Sequence, residues 1–143
     1  MVTIWDLLKN HTGQVCSVSP DATVYQALVL MAKENIGAVL VIDGEKLVGV
    51  LTERDYARKI ILKDRASKAT QVREIMSTDL FIMHPGQSVE EALEMMSAKA
   101  VRHLPVTEGD KVLGVISILE VVQAIIQQRN ETIRFYEEMD GER

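Results

Sequence analysis

One cysteine, three prolines and no apolar stretch of membrane-spanning length narrow what this 143-residue chain can be. Cys16 has no partner for an intramolecular disulfide, so packing alone must hold the fold. Lying in a strand-like run with Val15 and Val18, it reads as a small buried hydrophobe. Apolar residues make up 47% of the chain but aromatics only 4%, so its core has to be aliphatic. His11, His84 and His103 stand apart, without a Cys or second His at ligand spacing, which argues against a metal centre. No Walker-type glycine loop or nucleophile-base pair is recognisable, which argues against catalysis. A formal net charge of -5 and a pI near 5.2 offer no bulk attraction for nucleic acid. The exception is residues 53–73, with seven Lys/Arg against three Asp/Glu. A solvated helix face or a phosphate-facing patch would each account for it. The opening Met1-Val2-Thr3-Ile4-Trp5-Asp6 has neither a basic nor an apolar leader region, so a cytoplasmic location away from membranes is expected.

What is present is ordered by pattern. Ile4-Trp5-Asp6-Leu7-Leu8 reads as an amphipathic helical turn, and residues 14–18 as a strand. Thr23-Val24-Tyr25-Gln26 is a capping box opening a helix with Val24, Ala27, Leu28 and Met31 on one face. Residues 38–42 and 47–51 read as strands around an Asp43-Gly44-Glu45-Lys46 turn, followed by a helix over 53–62. Residues 63–70 are polar, without apolar period, and read as a connector.

Gly49-Val50-Leu51-Thr52-Glu53-Arg54-Asp55 runs from strand end through a turn into a helix, and the pattern returns as Gly114-Val115-Ile116-Ser117-Ile118-Leu119-Glu120. Backbone N–H groups at a helix start suit an anion, and a nearby carboxylate suits sugar hydroxyls. Thr52 with Asp55, and Ser117 with Glu120, serve equally as helix caps, so the motif alone leaves both roles open. A constant offset of 65 overlays Pro20 on Pro85, Thr23 on Ser88, Ala27 on Ala92, Met31 on Met96, Gly44 on Gly109 and Gly49 on Gly114 without a gap. Val72-Arg73-Glu74-Ile75-Met76 likewise echoes residues 4–8. Such a register marks two copies of one β-α-β-β-α unit. Two halves of about 65 residues would each be marginal alone, so one joint module is expected.

Two units ending in glycine-hydrophobic-x-Thr/Ser-x-x-Asp resemble the tandem cystathionine β-synthase (CBS) domain pair, or Bateman module, over about residues 1–128. The resemblance implies a mixed α/β (α+β) fold: two pseudo-symmetric β-α-β-β-α repeats, over 1–65 and 66–128, packed through their three-stranded sheets. Residues 129–143 form a helical extension or tail. It implies a non-catalytic regulatory module whose cleft senses an adenosine-containing ligand, with AMP, ADP, ATP, NAD and S-adenosylmethionine as candidates, and no cofactor required. It places Asp55 on the ribose hydroxyls and Thr52 on ribose or phosphate, with Val15, Cys16, Ser17, Ala38, Val39 and Leu40 around the base. Arg102-His103-Leu104-Pro105-Val106 is similar to the basic pair that reaches phosphates in adenylate-sensing members, and the fork of Arg102 suits that role. Arg54, Arg58 and Lys59 are further candidates. Ser117 and Glu120 form the second copy of the site; Glu120, one methylene longer than Asp, is expected to cap its helix instead. The resemblance and the apolar residues beyond the repeats imply a homodimer, and a regulated partner protein is expected. A small nucleotide-acting enzyme and a nucleic-acid-binding module are the alternatives.

Overall fold

The computed structural model describes residues 1–11 and 15–141. In chain order the elements are α1 (Ile4–Leu8), β1 (Ser17–Val18), α2 (Val24–Glu34), β2 (Ala38–Asp43), β3 (Lys46–Thr52), α3 (Glu53–Tyr56), α4 (Val89–Lys99), β4 (His103–Glu108), β5 (Lys111–Ser117) and α5 (Ile118–Gly141). A π-helical turn, Ala57–Ile61, extends α3, and short 3-10 turns at Ser67–Ala69 and Val72–Glu74 occupy the connection between halves.

The local signals act as their chemistry demands. Thr23 and Ser88 cap α2 and α4 by accepting from Gln26 and Glu91 N–H. Their apolar faces, Val24, Ala27 and Met31 in one and Val89, Ala92 and Met96 in the other, are buried. The hairpins turn at Gly44 and Gly109, whose φ values of +66° and +60° favour glycine. Each hairpin then shifts register at the same repeat position, between Val41 and Ile42 and between Val106 and Thr107.

The two sheets differ. β1 runs parallel to β2, which pairs antiparallel with β3, whereas among the described residues the second sheet consists of β4 and β5. The expected third strand of the second repeat survives as a single parallel bridge, Met83 to Val106. Pro105 explains the loss. In the first repeat Leu40 N–H donates to the Cys16 carbonyl; Pro105, at the matching position, has no N–H to give Phe81. On the first repeat, the strand expected over 14–18 pairs only at Ser17 and Val18; its Gln14 lies outside the described residues.

The halves exchange their leading segments. Ile4 N–H and Trp5 N–H donate to the Gln87 and Pro85 carbonyls of the second repeat, while Val72 N–H and Arg73 N–H donate to Ala22 and Pro20 of the first. Ile4 and Leu7 are accordingly buried in the second core with Met83, Val89, Met96 and Val121, and Val72 and Ile75 in the first with Val24, Met31 and Leu51. A third apolar cluster, Ala38, Leu40 and Val50 against Leu80, Val112 and Val115, joins the sheets. The repeats are therefore one module held by reciprocal exchange and a shared sheet junction. α5 continues far past this body as a regular helix to Gly141, so the segment read from sequence as a helical extension or tail is helical as far as the described residues go.

Candidate functional site

A cleft with a volume of ≈ 220 Å³ opens between the repeats. From the first come Gly37, Val50 and the motif residues Thr52, Glu53, Arg54 and Asp55. The second contributes Leu80, Phe81, Val101, Arg102, His103 and Pro105, and the segment leading into it adds Ser77 and Asp79.

The motif is first of all a helix cap. Thr52 N–H and Oγ1 donate to Asp55 Oδ2 at 3.0 and 3.1 Å, and Asp55 N–H donates back to Thr52 Oγ1 at 3.1 Å. Glu53 N–H is taken by the Gly37 carbonyl at 3.1 Å. Two of the first three N–H groups of α3 are thus used inside the chain, and positive charge in the cleft comes from side chains rather than the helix end. Asp55 is buried. Ser77 Oγ donates to both its oxygens, at 3.1 and 3.3 Å, and Lys59 Nζ lies 3.1 Å from Oδ1. With about four lone-pair positions on a carboxylate, these donors leave Asp55 nearly saturated.

The opposite wall carries the other charges. Arg54 Nη1 reaches across to the Ala100 carbonyl at the end of α4, 3.2 Å away. Burial pushes the His103 imidazole below its ordinary pKa; Glu53 and Glu120 pull the other way, and neighbouring Arg102 adds to the lowering. His103 also packs over Gly37, where an added Cβ would lie 3.4 Å from Nε2. Among the described residues no three His, Cys, Asp or Glu side chains are grouped to hold a metal ion.

Of the residues named from sequence, Thr52, Arg54, Asp55, Arg102, His103 and Pro105 meet in this cleft. The expected base wall does not. Ala38 and Leu40 are consumed by the junction between sheets and Val39 by the first core, while Val15, Cys16 and Ser17 lie at β1, outside the cleft lining. Burial raises the Cys16 thiol pKa, with Glu34 adding to the effect, so it carries little thiolate character. The wall facing the motif is instead Leu80 and Phe81, the residues 65 positions after Val15 and Cys16. The first motif thus looks across at the other repeat's leading segment, and the repeat offset was the signal that could have found it. Arg58 does not line the cleft, and Lys59 acts behind it, bridging Asp55 to the Ile75 carbonyl at 2.8 Å.

The second motif stands apart from this cleft. Ser117 N–H donates to Glu120 Oε1 at 3.1 Å and Glu120 N–H to Ser117 Oγ at 3.2 Å, while His11 Nε2 holds Oε2. Glu120 is a cap, as its length suggested; Asp55 is one as well, which the sequence comparison had not separated from a ligand role.

The CBS-domain family model matches residues 6–62 and 72–127. The chain belongs to the CBS-domain family. It is 35% identical over 141 residues to the mitochondrial CBS domain-containing protein CBSX3 of Arabidopsis thaliana, covering 92% of this chain and 68% of that one. A solved CBS-domain protein from Burkholderia ambifaria superposes with a TM-score of 0.84 at 42% identity, over 88% of this chain and 95% of that one. The CBS pair of MJ0100, solved with 5′-methylthioadenosine and S-adenosylmethionine, shares the fold at a TM-score of 0.79 and 19% identity, over 90% of this chain and 98% of that one. Paired CBS domains are, as a rule, non-catalytic regulatory modules that bind ligands. Among the described residues no helix is long and apolar enough to cross a membrane.

Proposed function

We propose that this CBS pair senses a compact adenosine-containing ligand in the inter-repeat cleft and signals by changing how its repeats are set against each other. The observation that carries this reading is the convergence of Thr52, Arg54 and Asp55 from one repeat with Phe81, Arg102 and His103 from the other. An aromatic and aliphatic wall suits a base, the carboxylate a ribose, and two arginines at the rim an anionic tail. The cleft's ≈ 220 Å³ falls below the roughly 300–1,000 Å³ of drug-sized pockets. That favours a single nucleoside with a short tail, such as AMP, over the two nucleosides of NAD. The adenosine ligands of MJ0100 lend the same fold to the same ligand class.

The signal follows from what a ligand must displace. Ribose hydroxyls reach Asp55 chiefly by displacing Ser77 or Lys59, because its lone pairs are nearly all engaged. An anionic tail draws Arg54 from the neutral Ala100 carbonyl, since a charge-assisted bond is the stronger one. Both substitutions trade contacts between segments for contacts to ligand, which gives the ligand different affinities for two settings of the module. A regulated partner would read the change.

Thermal melting against AMP, ADP, ATP, NAD and S-adenosylmethionine tests the proposal. A ligand at 100 times its dissociation constant should add about 2.7 kcal/mol. Unchanged melting with all five at millimolar concentration would sink it, and nucleotide turnover over hours of incubation would move the protein into the enzyme class.

A further inference from the structure

We propose that Lys99, a residue outside the cleft, is a positioning residue for the ligand's base: its ammonium holds the Phe81 ring as the platform on which the base stacks. On the reading of the cleft as an adenosine site, on which this rests, Phe81 supplies the flat apolar face for the base. Its backbone does little to fix that face. In the first repeat the matching residue, Cys16, accepts at its carbonyl from Leu40 N–H at 3.2 Å, and Pro105 removes the equivalent bond to Phe81. The segment is fastened at Ser77, which exchanges both hydrogen bonds with Val50, and at Met83, which donates to Pro105 and accepts from Thr107. Among the described residues, 78–82 make no backbone-backbone hydrogen bond between these points. Phe81 lies in that gap, so side-chain contacts are left to set where its ring points.

Two contacts do so. The ring packs against the second core, and Lys99 Nζ lies over it, 5.1 Å from its centroid, within the roughly 6 Å reach of a cation-π contact. Phe81 lines the cleft and Lys99 does not, so the ring stands between the ammonium and the space for the ligand. Lys99 is available for this role: it is exposed, and among the described residues it makes no ion pair. As the base in the last turn of α4 it also sits where the helix field favours a cation. Ala100 follows in the left-handed region with its carbonyl accepting from Arg54, and the chain then enters the cleft lining at Val101. The end of α4 thus serves the back of the ring through Lys99 and the rim of the cleft through Arg102. A cation over one face of an aromatic ring draws π density toward itself, which leaves the opposite face less negative and a better partner for an electron-rich purine. It also orders the ring before the ligand arrives, so that cost is not taken from binding.

Calorimetric titration of the full chain with AMP provides the test. Lys99→Met keeps the apolar stem and removes the charge, and should weaken binding by about two- to fivefold, the span of a cation-π contact at an exposed site; Lys99→Arg should bind like the wild type. Phe81→Leu should weaken binding by about tenfold, as the loss of a stacked base does. In that background Lys99→Met should have no further effect, because the ammonium acts through the ring. A lysine that served only the end of α4 would cost the same in both backgrounds. Thermal melting shows whether each variant stays folded, and should Phe81→Leu fail to fold, the contrast between Lys99→Met and Lys99→Arg still decides. Absence of AMP binding by the wild type, or a Phe81→Leu chain that binds as the wild type does, overturns the placement of the base on Phe81 and this proposal with it. A weakened Phe81→Leu beside an unchanged Lys99→Met, equal losses in the two backgrounds, or a Lys99→Arg chain that binds like Lys99→Met overturns the role of Lys99 and leaves the cleft reading standing.

Discussion

Ser77 donates its hydroxyl to both carboxylate oxygens of Asp55, at 3.1 and 3.3 Å, and so ties the first repeat's motif to the strand-like segment that enters the second. Asp55→Ala removes this tie together with a helix cap and the Lys59 contact. It should cost about 1–3 kcal/mol of stability and lower affinity for the cleft ligand more than about tenfold. Glu120→Ala should cost about 0.5–2 kcal/mol, the range for a lost cap, with affinity unchanged, because Glu120 caps α5 away from the cleft. Urea unfolding and calorimetric titration of both variants check the pair. Normal binding by Asp55→Ala with none by Glu120→Ala would reverse the assignment.

Gly49 is needed for space rather than for backbone freedom. A Cβ there would lie 2.6 Å from Met76 Sδ and 3.1 Å from the Ser77 carbonyl oxygen. Met76 can move, but Ser77 is held by exchange of both hydrogen bonds with Val50. Gly49→Ala should destabilise by about 1–3 kcal/mol, the range for overpacking. Met76→Ala in the same chain should recover only part of that, because the backbone contact remains. Denaturant midpoints decide it; a neutral Gly49→Ala would show that the inter-repeat segment is looser than its hydrogen bonds imply.

Ala100 ends α4 in the left-handed region, at φ 54°, where the first repeat uses Asn35 at the same φ. A Cβ makes that conformation costly for alanine, while glycine and asparagine occupy it routinely. Ala100→Gly should therefore raise unfolding stability by about 1 kcal/mol, with the Arg54 contact intact because it uses only the backbone carbonyl. A loss of stability would mean that the Ala100 methyl makes a contact worth more than the strain.

Much of this architecture was legible because it is local and repeated. Caps at Thr23 and Ser88, the faces of α2 and α4 and the turns at Gly44 and Gly109 follow from residues within one helical turn or one hairpin, and the offset of 65 compounds them. The exchange of leading segments was not legible, since Ile4 is equally apolar whichever core receives it; only tertiary packing settles that it joins Met83 and Val121. The cleft was half legible for the same reason. Thr52 and Asp55 carry a motif, whereas Leu80 and Phe81 are ordinary apolar residues that gain meaning from lying opposite it. Pro105 was visible as a departure from Leu40, yet its effect on the third strand required knowing which neighbour the missing N–H would have served.

His103 should make the fold sensitive to pH near neutrality. It sits in the cleft wall over Gly37, and the charges of Glu53 in one motif and Glu120 in the other both act on it. Burial dominates, so the folded chain protonates His103 less readily than its ordinary pKa of 6.5; the two glutamates oppose this and Arg102 reinforces it. As pH falls through that value the unfolded chain takes up the proton first. It then binds more protons than the folded chain, and unfolding free energy drops with decreasing pH. The contribution is fully present above the unfolded pKa and is lost as pH falls toward the lowered folded pKa. His103→Gln removes the titration while keeping a polar side chain of similar reach. Urea unfolding at intervals between about pH 7.5 and 5.5, bracketing histidine's ordinary range, should give a steeper acid loss for the wild type than for the variant. Equal slopes would mean that the ring titrates alike in both states; a wild type that gains on the variant as pH falls would mean that Glu53 and Glu120 outweigh burial.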